Sequence, residues 1–172
     1  MSPGQVLGVA IEVPSPWAEQ LRAARQSYGD PEAQAVPPHI TLLPPTTIDD
    51  AVRDEVLEHL TEVAAQTSAF TVLLRGAGTF RPVSPVVFVV VAQGISECEQ
   101  LERRVRSGPL ERPVGFPYHP HVTVAHDVAE AELDRAFSDF SGFSAEFTVN
   151  GFRLYRHVGG SWVPDRDLQL FG

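Results

Sequence analysis

A chain of 172 residues with 43% apolar content and a formal charge of −9 suits one compact domain, and it excludes the broad basic surface that gives sequence-independent affinity for long nucleic acids. All 13 basic residues are arginine, which removes a P-loop lysine, Schiff-base chemistry and the covalent lysyl-nucleotide intermediate of ATP-dependent ligases. Cys98 is the sole cysteine, so intrachain disulfides and cysteine-rich zinc sites are excluded as well. The opening MSPGQVLGVAIEV lacks a basic n-region, and no run approaches the roughly 20 apolar residues of a membrane span, so a cytoplasmic protein with no membrane association is expected.

In chain order, residues 6–13 are apolar enough for a buried strand, and Ser15-Pro16 supplies an N-cap and a first-turn proline for a helix carrying Trp17, Leu21 and Ala24. Pro37-Pro38 closes a polar loop, after which residues 39–43 read as a short strand that Pro44-Pro45 ends. Thr47 is placed to cap a helix over 48–66 with an apolar stripe at Val52, Val56, Leu60 and Val63. Strands are predicted at 70–74, around 79–80 and at 86–91, the last so uniformly apolar that both faces are expected to be covered. Ser96 with Glu99 forms a capping box for a helix bearing Cys98, Leu101 and Val105.

A proline-punctuated loop over 108–117 leads to a strand at 119–125, and Asp127 with Glu130 caps a helix holding Leu133, Ala136 and Phe137. Strands over 143–149, 151–155 and 163–170 complete the chain, with Gly159-Gly160 as a hairpin turn. PHITLLPP, a helix and FTVLLRGAGTF are matched later by PHVTVAHD, a helix and FTVNGFRLY, which reads as a diverged tandem duplication. A period of about 80 residues is too long for a solenoid and suits related lobes. The expected architecture is a single α+β domain over 1–172: a bilobal duplicated fold, with two antiparallel β-sheets facing a central cleft, helices packed outside, and one H-x-T motif in each lobe.

On a strand alternate side chains share a face, so His39 and Thr41 point one way, and His121 and Thr123 repeat the arrangement. Opening a cyclic phosphodiester needs a base for the attacking water and an acid for the departing alkoxide, both with pKa values near working pH, and histidine suits either task. Two histidines on opposite sides of one phosphorus, with two threonine hydroxyls on its non-bridging oxygens, perform this without a metal. One H-x-T is a weak signal, because six histidines among nine threonines give about a third of a chance match. Two in the shared context PH[IV]T, each followed by a matching helix, are a strong one.

These residues resemble the two-histidine (2H) phosphoesterase superfamily, and within it the bacterial and archaeal 2′-5′ RNA ligase or RNA 2′,3′-cyclic phosphodiesterase group, whose hallmark is a pair of H-x-T-x motifs in a duplicated α+β fold. The resemblance covers nearly the whole chain, since FTVLLRGAGTF, the strand at 86–91 and YHPHVTV fall in the family's order. It implies a metal-independent enzyme without cofactor that hydrolyses 2′,3′-cyclic phosphates of RNA ends or nucleotides to 2′-phosphates; some members also join RNA ends reversibly through 2′-5′ linkages without ATP. The family roles fall on His39 and His121 as the acid–base pair and on Thr41 and Thr123 as phosphate contacts, with acid and base unassigned between the histidines. Many relatives carry an arginine three residues after the second threonine, where this chain has His126.

Tyr118, His119, His126 and Arg81 complete the expected site as substrate-binding residues. The aromatic approach Phe116, Tyr118 and His119 is placed to stack on a base, or to pack a lobe interface. Arg75, Arg81, Arg112, Arg153 and Arg156 lie on or beside the repeated strands and are the candidate phosphate-binding arginines, against a solvent-exposed role for each. His119-x-His121 offers two ligands on one strand face, but no third ligand stands in register, so no metal is expected. RNA termini or cyclic nucleotides are the expected partners of a monomer. The competing readings are a catalytically inactive nucleotide- or RNA-binding 2H-like module and a small metal-dependent hydrolase.

Overall fold

The structure, a computed structural model, describes residues 3–172. Alternating burial along strands and apolar stripes along helices sort the chain into β1 (Gly4–Glu12), α1 (Trp17–Ser27), β2 (His39–Asp49), α2 (Arg53–Ala65), β3 (Phe70–Thr79), β4 (Val86–Gln93), α3 (Ile95–Val105), β5 (His121–His126), α4 (Glu130–Phe140), β6 (Ser144–Val149), β7 (Gly151–Val158) and β8 (Ser161–Gln169). The stripe Val56, Leu60 and Val63 is buried on α2, Cys98, Leu101 and Val105 on α3, and Leu133, Ala136 and Phe140 on α4. Phe137 lies off that stripe and is exposed. No helix among the described residues is long and apolar enough to cross a membrane.

The chain is α+β, but the expectation of two facing sheets is corrected: the eight strands of the described residues form one antiparallel sheet in the order β6-β3-β4-β5-β2-β1-β7-β8. The physical reason is the central pair. β2 and β5 meet edge to edge through Ile40 and Val122, so each motif strand covers the other's open edge instead of leaving it bare. This seam is narrow, since Ile40↔Val122 is the single registered pair, whereas the outer ladders run far longer.

The halves on either side of the seam are interleaved. β3 follows β2 and α2 in the chain yet pairs with β4 and β6, and β7 follows β6 yet pairs with β1. The helices cross too, for α1 packs on β5 and α3 on β2. Asp30, just after α1, fastens one such crossing: its carboxylate accepts from Arg25 Nε at 2.7 Å and from the His126 backbone N–H at 2.9 Å, and both contacts are screened from water by burial of Arg25 and Asp30. One continuous core runs under the seam, including Ile40, Leu42, Val122 and Val124, each almost fully buried. Neither half can keep its strands or its helix cover without the other.

Several local expectations change. Pro44-Pro45 does not end β2. The two prolines fall where the register with β1 slips between Leu43 and Thr46 and where β5 has already parted from β2, so their missing N–H groups leave no ladder bond unmade. The strand therefore runs through Thr47 to Asp49, and the Asp49 side chain, not Thr47, accepts the Ala51 N–H that opens the next turn. The capping boxes at Ser96 and Asp127 are not made, because α3 starts from Gly94 and α4 from Ala129, neither with a side-chain cap. The segments at 70–74 and 79–80 are one strand, β3, whose register shifts between Leu74 and Ala77. Gly159 and Gly160 do form the turn joining β7 to β8, with φ of 56° and 83° as a type I′ hairpin requires.

Candidate active site

The helices cover one face of the sheet. On β1, Leu7, Val9 and Ile11 join the core beneath them, so Gly8, Ala10 and Glu12 stand on the open face. Pairing carries that face across the sheet: Glu12 opposes His39 and Ala10 opposes Thr41 on β2, while Tyr155 opposes Gly8 on β7. On the other half Phe88 opposes Thr123 and Val90 opposes His121.

The antiparallel register centred on Ile40↔Val122 then sets the two motifs against each other. One step either side of that pair, His39 lies across from Thr123 and Thr41 across from His121. Directly opposed side chains start roughly 4.5–5.5 Å apart and the diagonal pair, His39 and His121, roughly 7–8 Å apart. Ile40 and Val122 fill the core below, and all four polar side chains are half-buried above it. An imidazole and a hydroxyl from each strand thus bound one small space.

Each histidine is held by the same device. His39 Nδ1 lies 2.8 Å from the carbonyl oxygen of Pro37, and His121 Nδ1 lies 2.7 Å from that of His119. A carbonyl only accepts, so Nδ1 carries the proton in both rings and Nε2 is left to take or give one over the open face. A buried proline, Pro38 or Pro120, precedes each histidine and fixes the backbone that presents the carbonyl two residues back. Burial lowers both imidazoles below the usual 6.5. The carbonyl bonds oppose that shift in each case. Glu12 also raises His39 while Arg25 lowers it, whereas His119 and His39 both lower His121.

The walls differ. Beside His39, Glu12 accepts from Tyr155 Oη and, at 3.0 Å, from Arg153, whose guanidinium also reaches Asp167. Beside His121 the wall is aromatic: Phe80 stands edge-on with ring centroids 5.0 Å apart and Phe88 lies at 5.2 Å. The Phe88 ring occupies the place of the Cβ that Gly78 lacks, 2.6 Å from where that atom would be built. This is what covers the second face of β4, as its unbroken apolar run requires.

Of the residues expected to bind substrate, His119 reaches the site directly, with its ring 5.9 Å from that of His121. Tyr118 donates its hydroxyl to the Thr41 carbonyl at 2.7 Å, supporting β2 where β5 has left it. Arg81 is bound to Glu130 and Asp134 of α4, each at 2.9 Å, and so turns toward the helix layer. His126 lies at the end of β5, three residues beyond Thr123, with Asp127 at 3.5 Å. Among the other arginines, Arg112 donates to Thr46, Arg153 is paired as above, and Arg75 and Arg156 are exposed. Phe116, expected to approach a base, is exposed on the loop before β5. Among the described residues no group of three or more His, Cys, Asp or Glu side chains is arranged to hold a metal ion.

Glu12, Phe80, Phe88, Tyr155 and Trp162 also stand at the site, and sequence reasoning did not single them out. One signal was available: Phe80 and Tyr155 end the similar segments FTVLLRGAGTF and FTVNGFRLY, and each stands beside the histidine of the other motif, Phe80 beside His121 and Tyr155 beside His39.

The sequence model of the 2′-5′ RNA ligase superfamily matches residues 13–161. A protein of Oceanobacillus iheyensis, provisionally named a phosphoesterase, is 30% identical over 159 residues, covering 91% of this chain and 92% of its own. A likewise named protein of Bacillus pumilus is 31% identical over 157 residues, covering 87% of this chain and 89% of its own. In fold the chain is similar to E. coli LigT crystallised with 3′-AMP, with a TM-score of 0.76 at 24% identity over 99% of this chain and 100% of that one.

Proposed function

We propose that this chain, which belongs to the 2′-5′ RNA ligase superfamily of two-histidine phosphoesterases, hydrolyses 2′,3′-cyclic phosphates of nucleotides or RNA ends without a metal, through His39, Thr41, His121 and Thr123. The observation that carries the reading is the register at Ile40↔Val122, which gives each histidine a threonine from the opposite strand and sets the two imidazoles diagonally across one phosphate-sized space. Water attacks phosphorus as one Nε2 removes its proton, and the other Nε2–H gives a proton to the departing ribose oxygen. The ring opens, and the nucleotide leaves with a single phosphate ester. The threonine hydroxyls donate to the non-bridging oxygens as charge builds there. Both imidazoles fixed as Nδ1–H tautomers support the scheme, because each Nε2 is then free for proton transfer. His119 extends the site beside His121, whereas Tyr118 packs against the core under α3 and acts only by holding the Thr41 carbonyl; His126 stands at the end of β5. Reversible 2′-5′ joining of RNA ends is the same chemistry with a ribose hydroxyl in place of water.

Incubation of the purified protein, with EDTA present, with the four nucleoside 2′,3′-cyclic phosphates tests the reading, the product being identified as 2′- or 3′-monophosphate. Turnover that survives EDTA and disappears in His39→Ala and in His121→Ala is the expected result. Binding of nucleotide without any turnover would instead favour an inactive binding module, and loss of activity with EDTA would favour a metal hydrolase.

A further inference from the structure

The two halves differ in one respect that bears on where the rest of a substrate goes. Beside His121 the open face is filled, with the tilted rings of Phe80 and Phe88 4.5 Å apart between centroids and Phe88 seated on Gly78. Beside His39 and Thr41 there is instead a pocket of about 140 Å³, walled by Pro44, Pro45, Tyr155 and Trp162 over a floor of Gly8 and Ala10. Gly8 makes room for the indole, whose edge lies 3.2 Å from the Cβ position that the glycine leaves empty. His157 meets the indole from β7 with ring centroids 4.9 Å apart, so the ring is held between a neighbour strand and the floor.

The tyrosine of this wall and the carboxylate beside it are already engaged. The Tyr155 hydroxyl is given to Glu12, and Glu12 is also bound by Arg153. A pocket with flat aromatic and proline walls, continuous with the catalytic side chains and offering no free side-chain donor from its tyrosine, fits a planar ring that binds by stacking.

We infer that the pocket over Gly8 receives the base of the nucleotide, stacked against Trp162, and that it does so with little discrimination among bases. This rests on the cyclic-phosphate reading above, since a phosphate held between His39 and His121 places its ribose and base over β2 and β1. The filled His121 side offers the base no equivalent place. Selectivity is expected to be for the presence of a base over its absence.

The test measures a ratio: kcat/KM for 2′,3′-cyclic AMP divided by kcat/KM for the base-free glycerol 1,2-cyclic phosphate. Trp162→Ala is expected to lower that ratio about tenfold, through KM, and Trp162→Phe to restore most of it. A ratio unchanged in Trp162→Ala overturns the inference, as does a preference of more than about a hundredfold among the four bases. Fluorescence separates this failure from failure of the reaction itself. Of the two tryptophans only Trp162 lines the pocket, so adenosine 2′-monophosphate should quench wild-type emission and leave Trp162→Ala emission unchanged, while ribose 5-phosphate quenches neither. Quenching without hydrolysis of any cyclic phosphate would sink the reaction and keep the pocket; hydrolysis without quenching would sink the pocket and keep the reaction.

Discussion

His39 and His121 each follow a buried proline and each donate Nδ1–H to the carbonyl two residues back, yet the half around His39 keeps a pocket of proline and aromatic walls open beside the Glu12 cluster, whereas the half around His121 is aromatic and filled. The two motif strands thus share the device that fixes a tautomer and differ in their surroundings. The difference teaches which features the chemistry needs twice and which it needs once. The proposed mechanism uses a proton carrier and a hydroxyl on both sides of phosphorus, and a place for the remainder of the substrate on one.

Removing the shared feature should do the most. His39→Ala and His121→Ala are each expected to lower kcat/KM on a 2′,3′-cyclic nucleotide by about 10²–10⁴-fold, with the circular dichroism spectrum retained. Losses of similar size would uphold the two halves as equal partners, and a loss confined to one would break that equality. Thr41→Val and Thr123→Val keep shape and delete one hydroxyl each, for an expected loss of about 10²-fold in kcat with little change in KM.

The packing difference predicts a difference in stability. Gly78→Ala drives a methyl against the buried Phe88 ring, 2.6 Å from the new Cβ, and is expected to cost about 1–3 kcal/mol, seen as a fall of several degrees in Tm. Gly8→Ala meets only the edge of the half-buried Trp162 at 3.2 Å, and the ring can yield, so its Tm should fall less. Equal falls would mean that the His39 half is packed as tightly as its counterpart.

The smallest effects are electrostatic. Both imidazoles are lowered from 6.5 by burial, so the base loses its proton and the acid loses its own at pH values below 6.5 in the free enzyme. The kcat/KM profile against pH is therefore expected to be bell-shaped with its maximum below 6.5. Glu12→Gln removes a charge that favours the protonated His39 and should move that ring's titration to lower pH; His119→Ala removes one that disfavours protonated His121 and should move that ring to higher pH. Titration of the histidine ring protons by NMR reads each shift separately, and movement of the wrong ring in either variant would dissolve the contrast between the halves.

Much of the architecture was legible in the sequence because it rests on short-range rules. Period-two patterning put His39 with Thr41, and His121 with Thr123, on single strand faces, and the apolar stripes of α2, α3 and α4 named most of their buried residues. Local rules failed where a distant partner overrode them. Pro44-Pro45 reads as a strand end, but a proline only ends a strand that needs its N–H, and β2 at that point has no β5 beside it. The candidate arginines were chosen by nearness in sequence to the repeated strands, and carboxylates far along the chain, Glu130 and Asp134 for Arg81 and Asp167 for Arg153, decide where two of those guanidinium groups point.

By itself, then, the sequence determined the two PH[IV]T strands, the faces their side chains share and the helices that cover them, since each follows from backbone geometry over a few residues. Tertiary structure alone decided that the strands join in one sheet, that His39 faces Thr123 and Thr41 faces His121, and that Trp162 lies over Gly8. Those facts depend on which strand edges pair and in what register, and hydrogen bonds between segments some eighty residues apart leave no periodic trace in either segment.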